Sequence, residues 1–141
     1  EIMKKYFLMV ATVIISASAY AYDVSGDSFK AKFVIDSVNV GKYESTFNFS
    51  SDDTGQYGKV YLSYTLKSNR NITTSGTWTG HGRGINSDGV LARGDLMGVW
   101  TMDGTKIHIK SLDSVSDGIN YVEATIDLLK GEMESEVFKV E

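Results

Sequence analysis

The chain has 141 residues, a formal net charge of −4, and neither cysteine nor proline. An acidic chain without a basic stripe is a poor nucleic-acid binder, and disulfides contribute nothing to its stability. The length suits one domain around one core, and no linker, charge block or low-complexity segment divides it.

The chain opens with an export pattern. Met3-Lys4-Lys5 is a short basic start, and residues 6–15 are an almost unbroken apolar run. Ala17-Ser18-Ala19 and Ala19-Tyr20-Ala21 both offer small-x-small cleavage sites. The run is too short for a permanent membrane span. We therefore predict a cleaved signal peptide over 1–21, with Glu1 and Ile2 as extra residues ahead of the start, and one domain over 22–141. The Lys-Lys start points to a bacterial protein that is periplasmic or secreted.

From residue 22 onward, no long stretch repeats its apolar residues at helical spacing. The sequence alternates instead with period two, is rich in Val, Ile, Thr, Tyr and Phe, and is punctuated by glycine turns. The predicted strands are 28–38, 43–50, 59–67, 72–85, 90–102, 105–113, 119–129 and 132–140. Phe29, Ala31, Phe33 and Ile35 share one face of the first strand. Tyr43, Phe47 and Phe49 align on the second, and Val60, Leu62, Tyr64 and Leu66 on the third. In the second half the turns contain Asp88-Gly89, Asp103-Gly104, Asp117-Gly118 and Lys130-Gly131. Hairpins this closely spaced leave no room for crossovers. The expected fold is all-β: a single antiparallel up-and-down meander of about eight strands, closed as a small barrel.

The turns also suggest registers. A two-residue loop at Asp103-Gly104 sets Trp100 opposite Ile107, and one at Asp117-Gly118 sets Ile109 opposite Ile126. One face then carries Val90, Ala92, Leu96, Trp100, Ile107, Ile109, Val122, Ala124, Ile126 and Leu128. The other carries Arg93, Asp95, Lys106, His108, Lys110, Glu123 and Asp127. In this register His108 lies between Val99 and Asp127, as an exposed His–carboxylate pair of little energetic worth or as a general base with no evident nucleophile.

Residues 76–102 stand out. They hold both tryptophans, Trp78 and Trp100, half of the 14 glycines, and His81, one of two histidines. A three-residue loop at Ser87-Asp88-Gly89 sets Trp78 opposite Gly98 and Gly76 opposite Trp100. His81 then faces outward opposite Asp95, and Arg83 faces outward opposite Arg93. A two-residue loop at Asp88-Gly89 flips the strand and sends Thr79, His81 and Arg83 inside. The candidate ligand-binding residues are Trp78, His81, Arg83, Asp95 and Trp100. Gly76-Thr77-Trp78 and Gly98-Val99-Trp100 resemble the Gly-x-Trp triplet of lipocalins and avidins. Those families carry it on an early strand and here both lie mid-chain, so the likeness is one of barrel architecture only.

No Gly-x-Ser-x-Gly, His-Glu-x-x-His, P-loop or EF-hand pattern is present, and no catalytic residue, metal or cofactor is assigned. The leading expectation is an exported barrel that binds a small apolar or amphipathic ligand. The alternative is a structural barrel of the bacterial envelope, packed solid, whose partner is an envelope protein. A barrel-interior isomerase or cyclase follows only from the two-residue loop. An outer-membrane barrel in contact with lipid is opposed by short loops at both ends and the lack of aromatic girdles.

Overall fold

A computed structural model describes residues 24–140. The predicted signal peptide lies outside the described residues. Eight antiparallel strands follow one another around a closed barrel. They are β1 (Val24–Val40), β2 (Glu44–Ser51), β3 (Lys59–Ser68), β4 (Ser75–Ile85), β5 (Leu91–Asp103), β6 (Lys106–Val115), β7 (Gly118–Asp127) and β8 (Glu132–Val140). The predicted meander and its closure are both present.

Closure depends on the long first strand. β1 pairs with β8 up to Val34↔Glu132 and with β2 from Val34↔Ser50 onward. This stagger is the shear that a tilted-strand barrel requires. Asp36 has no partner between Ile35↔Phe49 and Ser37↔Asn48. Such a bulge sharpens the local twist where the strand passes from one neighbour to the other.

Period-two alternation produces the core. Phe33, Phe49, Tyr64, Trp78, Trp100, Ile109, Ile126 and Met133 are all buried on inward positions. The aromatic part is continuous: the Phe49 and Tyr64 rings meet edge-on at 5.1 Å, and Tyr64 lies 4.2 Å from Trp78. The outer face carries Lys32, Lys59, His81, Asp95, Lys110, Glu123 and Glu134, all exposed.

The β4–β5 register is the one expected from a three-residue loop, with Trp78↔Gly98, His81↔Asp95 and Arg83↔Arg93. Gly89 adopts φ +77 within it. The two-residue alternative is not formed, so His81 and Arg83 stay outside.

Two other registers differ from expectation. Trp100 pairs with Ile109 and Ile107 with Ile126, each displaced by two residues. Among the described residues no non-glycine has positive φ, so neither Asp103 nor Asp117 can occupy a type I′ position. Gly104, at φ +59, opens a two-residue loop instead, between the pair Asp103↔Lys106. A slip of two preserves side-chain parity, which is why the core face is still the expected one.

His108 moves with the register. It lies between Thr101 and Thr125, with Nδ1 3.2 Å from Thr125 Oγ1, and not beside Asp127. Asp127 instead accepts from the backbone of Leu129 and Lys130 at 3.1 Å each. Val90 and Leu128, expected in the core, are exposed loop residues. Tyr43 is exposed too, with the Lys42 ammonium 5.2 Å from its ring centre.

Candidate functional site

The two ends of the barrel are filled differently. Towards the 69–74 and 104–105 loops, the tryptophans fill the interior. The Trp100 indole N–H donates to the carbonyls of Lys67 (3.1 Å) and Thr77 (3.2 Å), and it is 5% exposed. Trp78, 1% exposed, directs its N–H at the Lys110 carbonyl, 3.4 Å away. Glycine makes this possible. A Cβ on Gly98 would sit 1.8 Å from the Lys110 oxygen, and one on Gly76 1.8 Å from the Lys67 oxygen and 2.9 Å from the Trp100 nitrogen.

At the other end the inward face of β4 and β5 is nearly bare. Gly82, Gly84, Ala92 and Gly94 line it, and a cavity of about 80 Å³ remains there. Its opposite walls are apolar, with Phe29, Phe33, Val60, Leu62, Val122 and Val137. The glycine-rich strand therefore acts in two ways: at one end it admits the indoles, and at the other it leaves a cup.

The 52–58 loop closes the mouth of this cup. A single 3₁₀ turn, Gly55–Tyr57, carries the Tyr57 ring inward to 6.1 Å from Phe29. Gly58, at φ +68, reverses the chain behind it. The Tyr57 hydroxyl donates to Asp117 Oδ1 (2.9 Å) and accepts from Asn120 Nδ2 (3.1 Å), while Gln56 Nε2 donates to Asp117 Oδ2 (2.7 Å). The loop is thereby latched to the β6–β7 turn. Burial pushes the Tyr57 phenol above its ordinary range, and its hydrogen bonds adjust that shift.

Polar groups also line the cup. The cross-strand partners Tyr64, Gly80, Leu96, Asp113 and Asn120 form one inward row that climbs the barrel towards Tyr57. Asp113 is 6% exposed, and its Oδ1 has no hydrogen-bond partner. Burial pushes its carboxyl up to about 7, and the Ser111 hydroxyl on the same inward row draws it partly back. Burial and the nearby Asp113 together push the Tyr64 phenol far up, so it stays protonated. Thr54 Oγ1 is likewise buried without a partner. Chemically, this is an apolar pocket with one convertible acid, one free hydroxyl oxygen and an amide.

The five residues expected to bind ligand are not brought together. Trp78 and Trp100 are inside, below the cup. His81 and Asp95 form an exposed pair on the outer wall, Nδ1 to Oδ1 3.0 Å. Arg83 is exposed and folds back to the Gly82 carbonyl at 2.7 Å. The residues that do converge, Tyr57, Asp113 and Asn120, were absent from the expected set. A signal for Asp113 was present, since it shares the inward parity of Ile107 and Ile109 two steps further along β6. Tyr57 had none, because its role arises from a loop folding across the mouth.

No protein-family model matches this chain, and no significant match was found among curated proteins or solved structures.

Proposed function

We propose that this barrel is a binding module for a small amphipathic ligand, held in the cup beneath Tyr57. The observation that supports it is the cavity itself: concave, mostly apolar, with a few convergent polar groups, the usual form of a ligand site. At about 80 Å³ it is well below the roughly 300–1,000 Å³ of pockets for drug-sized molecules. A ligand of about four non-hydrogen atoms suits that size. At the ceiling of about −1.5 kcal/mol per atom its Kd is no tighter than roughly tens of micromolar.

The packed half of the barrel agrees with a structural role, but a purely structural barrel has no use for a latched mouth above an unfilled cup. The charged outer wall opposes a lipid-facing barrel, which needs an apolar band outside. The basic start, apolar run and small residues of 3–21 support an exported setting.

Amide chemical-shift mapping with two- to six-carbon alcohols, amines and carboxylates tests this reading. Saturable shifts are expected at Tyr57, Asn120 and Val122. They should be lost in Ala92→Leu, which places a larger side chain in the cup. Shifts confined to the outer wall, or unaltered by Ala92→Leu, would overturn the proposal.

A further inference from the structure

We propose that the ligand of this cup is a small primary amine in its protonated form, and that Asp113 is its anchor. This rests on the cup being the ligand site, and goes beyond it by assigning the chemical class.

Asp113 is the one Asp, Glu, Lys, Arg or His among the described residues that is buried. None of the ion pairs formed by the described residues includes it. The groups that line the cavity with it are neutral: Tyr64 on β3, Thr54 and Tyr57 in the closing loop, Asn120 on β7 and Ser135 on β8. Arg83 and Arg93 belong to the wall, but both are exposed. Asp117 at the rim is already engaged by Gln56 and Tyr57. The site thus contains an acid and no base.

The buried oxygens without partners that line the cavity are Asp113 Oδ1 and Thr54 Oγ1. The Ser111 hydroxyl, on the same inward row, lies outside the lining and favours the ionised Asp113 carboxyl. An ammonium group supplies N–H donors and no acceptor, and so complements these two free oxygens. An alcohol supplies one donor. A carboxylate ligand would set like charges together in an apolar pocket. The apolar wall beyond accommodates a short alkyl chain.

A cation at Asp113 favours the ionised carboxylate, so binding displaces the proton that burial retains. Affinity for the amine should therefore rise with pH through the region near 7, where Asp113 titrates. A neutral ligand of the same shape should show no such dependence.

The experiment compares propylamine, 1-propanol and propionate by chemical-shift titration at pH 7.5 and 5.5, on wild type and Asp113→Asn. At pH 7.5 propylamine should bind about tenfold more tightly than 1-propanol, the difference that a charge-assisted contact makes. Asp113→Asn should remove that advantage, so that propylamine no longer binds more tightly than 1-propanol. Propylamine should weaken about tenfold at pH 5.5, with Asp113 protonated. A preference for 1-propanol or propionate, or an amine preference that survives Asp113→Asn, would overturn the assignment while leaving the cup as a ligand site. If none of the three binds in the cup, the ligand-binding reading fails as well.

Discussion

Replacing Asp113 with asparagine should stabilise the protein, increasingly so as pH rises. Burial pushes the folded carboxyl up to about 7 from its ordinary value of 3.8. Its folded-state affinity for a proton therefore exceeds the unfolded one, so the native state binds more protons between these values. Stability contributed at this position is greatest below pH 4 and is lost as pH rises towards 7. Each pKa unit corresponds to 1.36 kcal/mol, so a shift of about 3 units gives a loss of about 4 kcal/mol. Asparagine has the same shape and no charge to desolvate. The stability gap between variant and wild type should open by about 4 kcal/mol between pH 4 and pH 8. The remaining carboxylates are common to both proteins and cancel. Urea unfolding followed by the fluorescence of buried Trp78 and Trp100 measures it directly. With a slope of about 2 kcal/mol per molar urea, the midpoints should separate by roughly 2 M at pH 8 and nearly coincide at pH 4. A gap that does not change with pH would refute the reasoning, because it would mean that the carboxyl is hydrated or paired in the native state.

The inward glycines should divide into two classes. Gly98→Ala drives a methyl onto the Lys110 carbonyl at 1.8 Å, whereas a Cβ at Gly94 meets first the side-chain methyls of Val115 at 3.2 Å and Leu96 at 3.3 Å. Gly98→Ala should cost more than about 3 kcal/mol in urea unfolding and Gly94→Ala about 1 kcal/mol or less, and equal losses would contradict the packing described. On the outer wall, His81→Ala should change stability by less than about 1 kcal/mol, as for other exposed ion pairs. It should also leave binding in the cup unaltered, and a loss of binding in that variant would return His81 to the site.

The order of strands, their antiparallel pairing and the inward face were legible from period-two alternation and glycine turns. The β4–β5 register was narrowed to two loop lengths, and the structure adopts the one that sets each indole against a glycine. The turns at Asp103-Gly104 and Asp117-Gly118 misled by two residues. A two-residue loop centred on Asp-Gly needs the aspartate at positive φ, and the backbone keeps both aspartates at negative φ. Parity survived that error, so Ile107, Ile109, Val122 and Ala124 are inside as expected. The same parity reaches Asp113, but a lone carboxylate in an apolar row reads locally as the end of a buried stretch.

Which way a side chain points along a strand is a local property, settled by the pleat and readable from the sequence alone. That determined the barrel and its core face. Where the interior is full and where it is empty depends on how the closed sheet brings opposite walls together. It depends also on whether a loop folds across the mouth. Tyr57 meets Asp117 and Asn120 some sixty positions along the chain. Only the tertiary structure could bring them to one place, since only closure of the barrel sets the distance between those walls.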